Sequence, residues 1–173
     1  MARNGRDHGG GLDAAVAQYG GKRSNWLDLS TGINPKPYAI PTLEPSSWRS
    51  LPDYKADTAL CAAAREFWNV PDCADVLAVP GCSSAIAQIP SLQPASFVEV
   101  ATRTYNEHAA AFLFHGWNTR AYQTSPQARV IVHPNNPTGK FHSKITAASL
   151  TVIDESFCDI APDKSHVAKA ALP

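Results

Sequence analysis

The sequence predicts an α/β fold, a mostly parallel sheet with helices on both faces. Three observations carry that expectation. Short apolar or β-branched runs recur, among them Phe97 to Val100, Val130 to His133 and Thr151 to Asp154. Segments with helical spacing separate them, as crossover connections between parallel strands require. The runs are short, about four largely apolar residues each, which suits strands of a parallel sheet covered on both faces.

The elements follow in order. Leu12 to Tyr19 is alanine-rich, with Asp13 near its start where a negative charge suits the helix dipole, and predicts a short helix. Thr31 to Tyr54 carries Pro35, Pro37, Pro41, Pro45 and Pro52, which predicts an extended connection. From Asp57 to Trp68, Leu60, Ala64, Phe67 and Trp68 fall on one helical face. Val76 to Val79 reads as a brief strand, Pro80-Gly81 as a turn and Ser83 to Leu92 as a helix. Phe97 to Val100 is the next strand and Tyr105 to Phe114 the next helix. Arg120 to Gln123, Val130 to His133 and Thr151 to Asp154 complete the strands. The tail after Pro162 shows no packing partner.

Composition narrows the function classes. At 173 residues the chain is long enough for one domain with a sizeable core. Fifteen basic residues balance fifteen acidic ones, so neither a nucleic-acid tract nor an acidic tail is expected. No apolar run approaches the roughly 18 residues of a membrane span. The N-terminus lacks the apolar core of a secretory signal, so the expected location is the cytoplasm, with no membrane partner. Cys61, Cys73, Cys82 and Cys158 show no C-x-x-C pairing, and the histidines are scattered, so reduced thiols and no metal site are expected.

Four places carry candidate chemistry, all expected at the carboxyl ends of strands, where such sheets gather ligands. Pro80-Gly81-Cys82-Ser83-Ser84 lies between a strand and a helix. Free N–H groups and hydroxyls there suit an anion such as phosphate, or the serine simply caps the helix. Tyr105, a short loop after Phe97 to Val100, either stacks on a planar heterocycle or sits at the rim of the core. Asn136, in H-P-N-N-P-T-G from His133 to Gly139, either serves a turn or offers an amide to a ligand hydroxyl. Asp154 ends a buried-looking strand, where a carboxylate needs a partner. A protonated pyridine nitrogen is one; the N-terminus of the next helix is another.

In this order, P-G-C-S-S, T-Y-N-E-H, H-P-N-N-P-T-G and V-I-D-E-S-F resemble the aspartate-aminotransferase fold family of pyridoxal-phosphate (PLP) enzymes, histidinol-phosphate aminotransferase branch. The opening D-H-G-G-G-L-D at Asp7 to Asp13, with W-L-D-L-S-T-G-I-N-P at Trp26 to Pro35, resembles the threonine-phosphate decarboxylases of cobalamin biosynthesis. The likeness spans roughly Asp7 to Ile160. It implies that Cys82, Ser83 and Ser84 hold the cofactor phosphate and that Tyr105 stacks on the ring. It implies that Asn136 meets the ring hydroxyl and the substrate, that Asp154 pairs with the ring nitrogen, and that His8, Gly9 and Asn34 line the substrate site. The implied reaction is decarboxylation of O-phospho-L-threonine to aminopropanol phosphate. An aminotransferase acting on histidinol phosphate or a related amino acid is the alternative, and a non-catalytic remnant a further one. A nucleotide-binding module is disfavoured, since no G-x-G-x-x-G follows any strand.

The chain departs from the family pattern in two ways. Phe157 stands where the aminotransferases usually have tyrosine. Lys164 and Lys169 do not match the setting of the lysine that forms the Schiff base, so no catalytic residue is assigned. The expectation is an N-terminal segment over residues 1–55 and an incomplete PLP-binding large domain over 56–173, without the C-terminal small domain. Such a chain is expected to be poorly stable and essentially inactive alone, with an edge or a central gap of the sheet left unpaired. The family's homodimer is possible.

Overall fold

In the computed structural model, residues 9–121 and 125–171 are described. The chain divides into two compact units, Met1–Ser50 and Leu51–Pro173.

The first unit holds α1 (Leu12–Tyr19), with the predicted bounds. Asp13 pairs with Arg23. The Trp26 indole donates to the Gly20 carbonyl, and its ring lies 6.3 Å from that of Tyr19. The proline-rich stretch before α2 holds no regular element except a single 3-10 turn at Pro45–Trp48.

The second unit opens with α2 (Tyr54–Trp68). It begins three residues before the predicted Asp57, because the Asp53 side chain accepts the Ala56 N–H at 2.9 Å and caps the first turn. It ends on Asn69 in the left-handed conformation, with the Val70 N–H returning to the Arg65 carbonyl. Next come α3 (Cys82–Gln88), a 3-10 turn, β1 (Phe97–Val100), α4 (Asn106–Phe114), β2 (Asn118–Arg120), β3 (Ala128–Val132) and β4 (Leu150–Asp154).

The sheet order is β2-β1-β3-β4, and every pair is parallel. This is an α/β fold. Register sets side chains in rows: Val98 beside Ala128 and Leu150, then Val100 beside Val130 and Val152. With a strand period of two, both rows face the same side. There they meet Phe112 of α4 and Trp117, which stack edge to face at 5.1 Å and form the core. The Trp117 N–H donates to the Pro90 carbonyl, so the buried indole is satisfied. On the opposite side of the sheet, Arg129 pairs with Glu99 at 3.1 Å and also donates to the Thr146 carbonyl.

Three expectations are corrected. Val76 to Val79 forms no strand: it has no ladder neighbour among the described residues, and Leu77 is 83% exposed. A lone run cannot satisfy its own N–H and C=O groups, so it stays irregular. The strand placed at Arg120 to Gln123 sits earlier, at Asn118–Arg120; residues 122–124 lie outside the described residues. The tail after Pro162 does have partners. Glu155 accepts the Ser165 hydroxyl and the His166 N–H, both at 2.6 Å, and the His133 ring faces the Lys164 carbonyl at 2.9 Å. Among the described residues no helix is long and apolar enough to cross a membrane.

Candidate cofactor site

The topology itself locates a crevice. From β1 the chain steps to β2 on one side and then returns to β3 on the other. Loops leaving β1 and β3 therefore diverge, and ligands in open α/β sheets settle at such a point. Tyr105 follows β1, Asn136 follows β3 and Asp154 ends β4.

Two adjacent asparagines divide the work in the loop after β3. Asn135 is buried; its amide donates to the Arg103 carbonyl at 3.0 Å and to the Thr138 hydroxyl at 2.8 Å. Its carbonyl oxygen accepts the Thr104 hydroxyl at 2.6 Å, which binds the β1 and β3 loops together. Asn136 is half-buried, and among the described residues its side chain has no hydrogen-bond partner. A fixed loop thus presents an open amide.

Asp154 lies one row beyond Val130 and Val152, paired in register with Val132. Its side chain is 8% exposed. On α4, His108 sits one turn before Phe112, so it projects over this next row. The His108 Nε2 reaches Asp154 Oδ2 at 2.8 Å, and the ring is 2% exposed. On the other oxygen, Oδ1 accepts the Ser156 N–H at 3.0 Å and the Ser156 hydroxyl at 2.6 Å. Burial pushes the Asp154 carboxyl up, but the bonds from His108 and Ser156 outweigh it and hold the group below the usual carboxylate value. A carboxylate has about four acceptor positions, two on each oxygen. Oδ1 has both filled and Oδ2 has one, so a fourth donor has its place on Oδ2.

Cys82, Ser83, Tyr105, Asn136, Asp154, Ser156 and Phe157 line one cavity of about 190 Å³. It adjoins an apolar groove of about 700 Å³ that shares Cys82, Ile86, Asp154 and Ser156. Gly81, at φ 89° and ψ 152°, turns the chain into α3 so that Cys82 and Ser83 open the helix at the cavity. Ser84 is half-buried in that first turn and is not part of the lining. Neither Lys164 nor Lys169 lines the cavity; the Lys164 ammonium lies 4.3 Å above the Phe141 ring.

The sequence reading named neither His108 nor Ser156 as a site residue. Tyr105-x-x-His108 places the histidine one helical turn from the tyrosine, and that spacing was the available signal. Their rings lie 6.1 Å apart, edge to face.

The remaining predicted residues belong to the first unit. His8 lies outside the described residues. Gly9 lies against Ser30: a Cβ there would stand 2.0 Å from the Ser30 carbonyl oxygen, so only glycine fits. Ser30 is held by Asp28, whose carboxyl the hydroxyl and N–H of Ser30 lower. The Asn34 side chain accepts the Lys36 N–H at 2.9 Å, an Asx-type turn.

His133, Glu155 and Cys158 bring potential metal-binding atoms within 4.8 Å of one another. Both His133 nitrogens and both Glu155 oxygens already have protein partners, so the cluster acts as a knot that pins residues 164–166.

No protein-family model matches the chain. Two curated proteins do, both named threonine-phosphate decarboxylase. The one from Sinorhizobium sp. is 33% identical over 181 residues, covering 95% of this chain and 54% of its own length. The one from Pseudomonas aeruginosa is 31% identical over 185 residues, covering 96% and 54%. The chain spans about half the length of these relatives. By sequence, and over nearly all of its own length, the chain is similar to these two threonine-phosphate decarboxylases.

Proposed function

We propose that the cavity is the pyridoxal-phosphate cradle of an enzyme half that serves decarboxylation of O-phospho-L-threonine, in the cytoplasm and toward the aminopropanol phosphate of cobalamin biosynthesis. The observation that carries the reading is the gathering of Cys82, Ser83, Tyr105, Asn136 and Asp154 around one cavity. The relatives' name supplies the substrate and reaction class.

The residues present fit that cofactor. Asp154 is ionised and has an acceptor position left on Oδ2 for a pyridinium N–H. Asn136 has a free amide for the ring hydroxyl, and Tyr105 offers an aromatic wall. Cys82 and Ser83 stand where the phosphate would meet free helix N–H groups. When bound, the pyridine ring supplies an electron sink for the pair left on Cα as carbon dioxide departs. Asp154 keeps a proton on the ring nitrogen, and His108 keeps Asp154 oriented. Gly9 and Asn34, with His8, are proposed for the substrate and its phosphate.

A chimaera settles the reaction class: this chain replaces the matched half of the Sinorhizobium relative, and threonine O-phosphate is supplied with 2-oxoglutarate. Carbon dioxide release without glutamate is the expected result. Glutamate formation would establish the aminotransferase alternative, and neither product would favour a non-catalytic remnant.

A further inference from the structure

We propose that Ser156 is a positioning residue that ties the two ends of the cradle together, its hydroxyl fixing the Asp154 carboxylate and receiving the Cys82 thiol. This rests on the cofactor reading of the cavity.

The hydrogen directions are forced. An ionised carboxylate has no proton to give, so the Ser156 hydroxyl donates to Asp154 Oδ1 across 2.6 Å. A hydroxyl has one proton, so toward Cys82 Sγ, 3.5 Å away, Ser156 can only accept, and the thiol donates. The order of donation is therefore Cys82 to Ser156 to Asp154. It runs from the first turn of α3, where the phosphate end is placed, to the end of β4, where the ring nitrogen is placed.

The Ser156 N–H reaches the same oxygen at 3.0 Å. With His108 on Oδ2, the carboxylate is held on both oxygens and cannot rotate without breaking bonds. That keeps the open acceptor position on Oδ2. Ser156 is solvent-exposed, so water competes with its hydroxyl at present. A ring covering the cavity would exclude that water, and the bond gains strength as the dielectric falls. The hydroxyl thus matters most when the site is filled. Alanine at residue 156 would retain the N–H bond to Asp154 and lose only the hydroxyl.

The test compares the 173-residue chain with Ser156→Ala and Ser156→Thr. Two ligands are titrated by fluorescence: PLP, and 1-deaza-PLP, in which carbon replaces the ring nitrogen. Carbon-13 NMR follows the Asp154 carboxyl against pH, assigned with Asp154→Asn. Ser156→Ala should bind PLP about fivefold more weakly, and the deaza compound as the parent does. Ser156→Thr should restore PLP binding, and the Asp154 carboxyl should titrate at higher pH in Ser156→Ala. Equal weakening toward both ligands, or an unmoved Asp154 titration, would overturn the proposal. If the parent binds no PLP, the cofactor reading fails, and the NMR titration alone still decides whether Ser156 governs Asp154.

Discussion

Asn135 and Asn136 are the same residue type one position apart, yet the structure assigns them opposite duties. Asn135 makes three side-chain hydrogen bonds, two of which bind its loop to the loop after β1. Asn135→Ala should cost about 2–3 kcal/mol, since buried partners lose their bonds, as urea unfolding would read. Asn136→Ala should change stability by less than about 0.5 kcal/mol, because no partner is lost. Asp154 adds a pH signature. Its carboxyl is held below its ordinary value of 3.8, so the folded chain binds fewer protons there than the unfolded one. The stability it contributes is fully present above pH 3.8 and is lost as pH falls through the folded value. The gap in urea midpoint between the parent and Asp154→Asn should therefore be present at about pH 6 and close in acid. A gap independent of pH would contradict this.

At the scale of elements, α3 depends on the turn that precedes it. Gly81 occupies a backbone region that essentially only glycine adopts, and its surroundings are open. Gly81→Ala should cost about 1–3 kcal/mol through backbone strain alone, measured by thermal or urea unfolding. Most elements were legible locally: α1 is Leu12–Tyr19 and β1 is Phe97–Val100, both as read from the sequence, because hydrophobic period and turn residues act over a few positions. Val76 to Val79 was not, since a strand exists only with a neighbour and sequence pattern cannot show whether one is present. The site divides the same way. Asn136 and Asp154 were legible from the strands they follow. Ser156 was not, because the role proposed for it depends on Cys82, 74 residues away, lying beside its hydroxyl. His108 has a local signal in its spacing from Tyr105, but its partner lies 46 residues away.

For the whole molecule, the order β2-β1-β3-β4 explains why residues as far apart as Tyr105 and Asp154 share a cavity. Parallel strands bring every carboxyl end to one edge, and the reversal beside β1 opens the crevice there. About half of the relatives' length corresponds to this chain, and that half includes the cavity proposed as the cradle. The central claim is that these residues recognise PLP by its ring and phosphate, without a lysine: Lys164 is engaged over Phe141 and does not line the cavity. The most direct measurement titrates PLP into the 173-residue chain, Asn136→Ala and Asp154→Asn, followed by borohydride reduction and mass spectrometry. The account predicts reversible binding, weakened about tenfold or more by each substitution, with no cofactor mass fixed on Lys164 or Lys169. Absence of binding, or binding indifferent to both substitutions, would contradict it.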